Sequence, residues 1–177
     1  RYGAEISGHK TLVPALFSRS IGLGGDSEIH VELLNGAPAF RIGPRRAGTP
    51  VVRGGSMPTP TDAAVAAGLS SLGNREAAMH ALAKLGEPCG MDAAAVAQAV
   101  LDAFTRQLAD EIEAVYMHLE SRPAYTVSEI LAPPDIRPQV LIGLGAPAPF
   151  FIPDAARRLG IACEILPHCE EANAVGA

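Results

Sequence analysis

Residues 139–161, QVLIGLGAPAPFFIPDAARRLGI, constrain the fold more than any other stretch, because they place a strand, a glycine turn and a helix in immediate succession. Val140, Leu141 and Ile142 are a short uninterrupted apolar run, which suits a strand covered on both faces, as in a parallel sheet. Gly143, Gly145 and Ala146 then remove side-chain bulk where that strand ends. Pro147, Pro149 and Pro153 follow, and proline fits a helix first turn because the amide hydrogen it lacks would be unpaired there. The spacing predicts a helix over 150–159 with Gly160 as its C-terminal stop. A second apolar run at 163–166 completes a strand-helix-strand unit, whose crossover is right-handed in nearly all known cases. Ligands of such sheets sit at the carboxyl ends of the strands, where small residues admit them and helix amides favour anions. Residues 143–147 are therefore a candidate site. The alternative is that the glycines only let helix and strand pack closely.

The rest of the chain must supply a core for this unit. With 177 residues it is long enough for one well-filled core and short for two, so a single domain over 1–177 is expected. A hydrophobic content of 48% against 19% charged excludes a disordered chain, and with no tryptophan the core falls to Ala, Val, Leu and Ile. The net charge of -5 gives no electrostatic reason to expect nucleic acid or an anionic membrane surface. Arg41, Arg45, Arg46 and Arg53 read as a solvated surface. Cys89, Cys163 and Cys169 are odd in number and irregularly spaced, which speaks for a reducing compartment. His168 beside Cys169 lacks the paired short spacings of a zinc site, so no metal is expected from these side chains. There is no signal peptide and no apolar stretch of membrane-spanning length, so a cytoplasmic protein is the expectation. The chain opens on Arg1 and closes on Ala-Val-Gly-Ala, which suggests a piece of something longer.

Three regions follow in order: a hairpin and loop over 20–60, a helical region over 61–122 and the strand-helix-strand unit over 139–177. Before them, a strand at 11–17 is confined to an edge by Pro14. Ile29, Val31 and Leu33 alternate with Glu28, His30 and Glu32, the period of a strand with one wet face, and Asn35-Gly36 supplies a tight hairpin turn before Phe40 and Ile42 return. His30 falls on the polar face. Residues 21–27, IGLGGDS, are a second glycine-rich stretch, but they precede a hairpin and not a helix, so they fail the context of a phosphate loop. Asp26 and Ser27 still bring a carboxylate and a hydroxyl beside open backbone; the alternative is an Asx-type turn. Residues 43–60 are a loop by composition. Helices are expected from Thr61 or Asp62 to about Leu72, from Asn74 to Leu85, and from an N-cap at Asp92 onward. The last carries Val96, Val100, Phe104, Leu108, Ile112, Val115 and Leu119 at spacings that bury one face nearly throughout, and Arg122-Pro123 ends it. Glu170 and Glu171 open a final helical turn, and Asn173 sits near the same sheet end as the glycine turn. No Ser/His/Asp, Cys/His or paired-carboxylate spacing declares catalysis. The architecture expected is α/β: one mixed sheet joining the hairpin 28–42 to the strands at Val140 and Cys163, with helices packed on it.

Four stretches, in order, resemble the hydantoinase/oxoprolinase family of ATP-dependent enzymes. SIGLGGDS at 20–27 and RIGPRRAG at 41–48 are similar to that family's IGxGGGS and VGPxSAG. PTPTDA at 58–63 resembles its PTVTDA, and VLIGLGAPAPF at 140–150 resembles VAFGGAGPLH. Together they cover about residues 20–74 and 105–177. Phe17, Ser18 and Arg19 stand where the family has a DIH triplet associated with a metal, TPVVRGG replaces its DPGPACYG, and its acidic DxGGTxTD phosphate loops do not occur. The resemblance implies a partial actin-like (ribonuclease H-like) ATPase lobe, the C-terminal part of a divergent member. It implies ATP and Mg as cofactors, a small-molecule cyclic amide as substrate, and the rest of the ATPase core or a partner subunit as partner. Gly143, Gly145, Ala146 and Pro147, with Asn173, would form the adenosine-side turn, and Gly24, Gly25, Asp26 and Ser27 a wall of the cleft. No catalytic base is assigned. The competing implication is a non-hydrolytic ATPase lobe of a regulatory or reactivating protein, and a third reading is a structural domain with no ligand.

Overall fold

The computed structural model describes residues 3–6, 9–14, 17–121 and 137–176. Its strands are β1 (Gly3–Ile6), β2 (His9–Pro14), β3 (Ser27–Leu34), β4 (Ala37–Arg46), β5 (Val140–Gly143) and β6 (Ala162–Ile165). Its α-helices are α1 (Pro60–Ala66), α2 (Arg75–Gly86), α3 (Ala93–Glu120), α4 (Ala148–Leu159) and α5 (Ala172–Gly176). The class is α/β with helices packed on strands, as the sequence predicts. The strands do not join in one sheet, however. They form three two-stranded sheets, β1-β2 and β3-β4 antiparallel and β5-β6 parallel.

Each element follows from its local chemistry. Asn35 and Gly36 adopt positive φ of 52° and 81°, the backbone of a two-residue hairpin turn. The hairpin pairs Val31 with Phe40 and Ile29 with Ile42, and then slips, so that Ser27 meets Arg46. β4 thus runs to Arg46, into what composition alone reads as loop, because the bulge at 43–45 lets pairing resume. α1 starts at Pro60 and not at Thr61, since Thr59 caps it: the Thr59 hydroxyl accepts from the Asp62 amide and the Asp62 carboxylate from the Thr59 amide. It stops at Ala66, short of the expected Leu72. Asp92 caps α3 through its side chain, as expected, and Asn74, expected as the first residue of α2, is its cap instead, so that helix starts at Arg75. α3 ends at Glu120 with Ser121 as its C-cap; the Arg122-Pro123 stop falls outside the described residues.

α3, 28 residues and about 42 Å long at ~1.5 Å per residue, is the axis of the core. It packs against α1, α2, α4 and β4. Val96, Val100, Leu101 and Phe104 are buried among Ala63, Ala64, Leu82, Ile42 and Phe151. Full burial ends at Ala109, and beyond it Ile112, Val115 and Leu119 are half-covered, so the stripe is buried over its first half and not throughout. Gln107 ties α3 to the hairpin by acting as a short strand: its Oε1 accepts from the Ile42 amide at 2.7 Å and its Nε2 donates to the Ile42 carbonyl at 3.1 Å. Phe151 of α4 stacks on Phe104 with ring centroids 3.8 Å apart.

β5 is covered on one face only. Gly143 is buried under α4, where a Cβ would lie 2.5 Å from Ile165 Cδ1 and 3.1 Å from Ala148 and Ile152. Val140 and Ile142 point the other way and are 43% and 50% exposed. The expectation of a strand covered on both faces is corrected here: side chains alternate, and α4 screens one side.

Candidate functional site

Gly25 brings the two glycine-rich stretches together. Its carbonyl accepts from the Thr61 amide at 2.9 Å and from Thr61 Oγ1 at 2.7 Å. A Cβ on Gly25 would lie 2.7 Å from Thr61 Oγ1 and 3.4 Å from Pro147 Cβ, so the turn at 24–27 touches both the first turn of α1 and the residue before α4. Ser27 is buried and closes that turn, its Oγ accepting from the Gly24 amide at 2.9 Å while its own amide donates to the Gly24 carbonyl at 3.1 Å. The closing side chain is therefore Ser27, not Asp26 in an Asx turn. Asp26 instead accepts from Arg46 Nε at 2.6 Å, and its carbonyl accepts from the Ala47 amide at 2.8 Å. Arg46 thus neutralises Asp26 while its outer edge stays in solvent.

At the carboxyl ends of the parallel strands, Gly145 adopts a φ of +96°, a conformation that resists any side chain. Its amide donates to the Cys169 carbonyl at 2.7 Å, which pins the loop after β5 to the loop after β6. A Cβ on Gly145 would meet only Pro147 Cδ, at 3.8 Å, whereas one on Gly143 would clash with its neighbours, so close approach of helix and strand accounts for Gly143. Ala146 and Pro147 are exposed beside it. Asn173 lies on α5, but its side chain is outside the described residues.

The start of α4 does not offer the free amides expected of it. Pro147 and Pro149 have no N–H, the Ala148 amide donates to the Gly145 carbonyl at 3.0 Å, and that of Phe150 to the Pro147 carbonyl at 3.1 Å. A helix start binds anions through unpaired N–H groups, and these four positions provide none. The place suits an uncharged, partly apolar group rather than a phosphate. Pro153 lies inside the helix and not in its first turn.

Two further side chains at this place escape a reading by motif. Asp62, fully buried, accepts from the amides of Val51 (3.1 Å), Val52 (2.8 Å) and Thr59 (2.8 Å) and from the Thr59 hydroxyl (2.8 Å). It fastens the loop before α1 to the helix that holds Gly25. The Ser/Thr-x-x-Asp pattern at 59–62 is a capping signal, but nothing local predicts Asp62's reach to residue 51. Cys169 is buried with Sγ 3.6 Å from Glu170 Oε2; burial, then the hydrogen bond and charge of Glu170, push its thiol above the ordinary range. Cys163 is exposed, and His168 lies 3.9 Å from Glu171.

Among the described residues no three His, Cys, Asp or Glu side chains gather as a metal site. His30 contacts Glu28 at 3.5 Å on the half-exposed face of β3. Arg19 pairs with Glu111 of α3 at 2.9 Å. That pair adjoins a cleft of about 340 Å³ between residues 21–23, Arg41 and α3. No helix among the described residues is long and apolar enough to cross a membrane.

The chain matches the family described as hydantoinase/oxoprolinase over residues 1–177. No curated protein matches it. Among solved structures it is similar to the ATP-dependent caprolactamase from Pseudomonas jessenii, with a TM-score of 0.60 and 27% identity over 80% of this chain and 20% of that one. The chain thus spans about a fifth of that protein's length.

Proposed function

Because this chain belongs to the hydantoinase/oxoprolinase family, we propose that it is part of an ATP-dependent hydrolase of cyclic amides and forms the nucleotide side of its cleft. The observation that carries this is the pair of Thr61 bonds to the Gly25 carbonyl with Pro147 close by, which sets two glycine-rich turns near each other, one of them at the carboxyl ends of parallel strands. The caprolactamase it resembles is ATP-dependent and opens a cyclic amide. The chemical need is plain: an amide is a poor electrophile, and transfer of the γ-phosphoryl group to its oxygen, with ADP leaving, lets water add to the carbon; the ring C–N bond then breaks with the protonated amine as leaving group, and a second water cleaves the resulting acyl phosphate to the acid and phosphate.

The residues here fit the neutral end of ATP. Gly145 supplies an uncrowded turn, Ala146 and Pro147 an exposed apolar rim, and Gly24, Gly25, Asp26 and Ser27 the facing wall. With no free amide at residues 147–150, this lobe leaves the phosphates and their Mg to other parts of the enzyme. The bare face of β5, with Val140, Ile142 and Leu144 about half exposed, is where the rest of the ATPase core or a partner subunit would pack, since parallel strands are normally covered on both faces. Actin-like topology and a cytoplasmic location belong to the same reading.

The Arg19–Glu111 pair favours a second reading, a non-hydrolytic ATPase lobe of a regulatory or reactivating protein, because it puts a cation where a metal-associated residue would stand. Incubating the protein that carries this chain with ATP and caprolactam, hydantoin or 5-oxoproline separates the two. Ring-opened acid formed in step with ADP is expected. Nucleotide binding without ring opening of any of the three would replace the first reading with the second.

A further inference from the structure

The cleft of about 340 Å³ beside the Arg19–Glu111 pair takes no part in the nucleotide reading, and its size is that of a modest small-molecule site. One wall is the turn at 21–23 together with residues 41–44, and the other is α3 at 107–111. Both are held firmly. Gln107 commits both ends of its amide to the Ile42 backbone, and Gly22 lies so close on Pro44 that a Cβ there would be 2.6 Å from the Pro44 Cβ. Ile21, Leu23, Ile42 and Pro44 give the cleft an apolar surface. Two charges in it are left over. Glu111 is neutralised by Arg19 at 2.9 Å. Arg41, on the strand wall, donates Nη1 to the Gly43 carbonyl at 3.0 Å, which fixes one edge of the guanidinium, and no carboxylate among the described residues pairs with it. Asp110, on the helix wall, has neither a hydrogen bond nor an ion pair among the described residues. The cleft thus offers one cation, one carboxylate and an apolar stretch, without net charge.

We propose that this cleft binds a zwitterionic chain amino acid: Arg41 takes its carboxylate, Asp110 its ammonium, and the apolar surface its methylenes. Both pairs are charge-assisted and stronger than neutral hydrogen bonds. A ligand with one sign of charge leaves one wall unanswered, and a closed lactam, with neither charge, leaves both. The inference stands on the cleft and not on the nucleotide reading; if that reading holds, ring-opened caprolactam and 5-oxoproline are ligands of this class. Arg41 and Asp110 keep contact with solvent, which screens each pair, so the affinity is weak, of millimolar order.

Saturation-transfer NMR suits weak binding to a large protein. In the protein that carries this chain, 6-aminohexanoate is expected to bind, and hexanoate and hexylamine to bind several-fold more weakly. Arg41→Gln should weaken 6-aminohexanoate about tenfold and leave hexylamine unchanged, while Asp110→Asn should weaken it likewise and leave hexanoate unchanged. Both side chains are exposed, so neither change should move the thermal midpoint, and a folding defect would not sort the two one-charge ligands in this crossed way. No binding of 6-aminohexanoate, binding indifferent to both substitutions, or hexanoate held as tightly as 6-aminohexanoate would overturn the proposal. The nucleotide reading fails on other measurements, ATP binding and ring opening, so the two can fall separately.

Discussion

Position 62 is a carboxylate with no exposure that accepts from three backbone amides and a hydroxyl. Each donor left without a partner in a buried place is costly, so Asp62→Ala should destabilise the chain by roughly 3 kcal/mol or more, read as a lower denaturant midpoint at unchanged slope. The sequence shows Asp62 only as a helix-capping residue; its hold on Val51 and Val52 depends on a loop path that no local pattern encodes. Cys169 is a second case. Burial and Glu170 raise its thiol above the ordinary value, so the folded state favours the protonated form. The corresponding stability is fully present below the ordinary thiol pKa and is lost as pH rises through the raised one. Unfolding measured across the alkaline range should therefore show a fall that Cys169→Ser lacks, and exposed Cys163 should react with a thiol reagent well before Cys169 does.

Among elements, the bond between α3 and α4 is the one that also bears on the site. Phe151 is 2% exposed, stacks on Phe104 and stands 3.9 Å from the position a Gly25 side chain would take. Phe151→Ala should cost about 4 kcal/mol and loosen the glycine turn, which thermal unfolding together with exchange at Gly24 would show. Arg158 adds to this bracket by pairing with Asp102 of α3 and donating to Thr105 at 3.2 Å. The hairpin, the start of α2 to within a residue, the cap of α3 and the strand-helix-strand order were all legible, because each depends on residues a few positions apart: Asn35-Gly36, Asn74, Asp92, Gly160. The chemistry at the start of α4 was legible too, but its direction was easy to miss. Proline both opens a helix and removes the amide an anion would need.

For the molecule as a whole, the consequence of that proline-rich start is a ligand preference. Residues 147–150 offer no free amide to a phosphate, so this chain on its own should bind adenosine and ATP with affinities within about threefold of each other and should not turn ATP over, since phosphoryl transfer needs metal and charge placed around the γ-phosphate. Parallel calorimetry with the two ligands checks this; a strong preference for ATP would mean that a phosphate site exists within these residues. By itself the sequence determined the α/β class, the family, and most element boundaries to within a few residues, because periodicity, caps and turns are local. What only the tertiary structure decided is which of these pieces meet. Among the described residues it divided the strands among three small sheets, left Val140 and Ile142 half exposed, gave Gly143 to packing and Gly145 to a loosely surrounded turn, and set Gly25 beside Thr61 and Pro147. Contacts between residues 25, 61 and 147 depend on how α1 and α4 dock on α3, and such docking is set by side-chain shape summed over a whole core, which no short stretch of sequence contains.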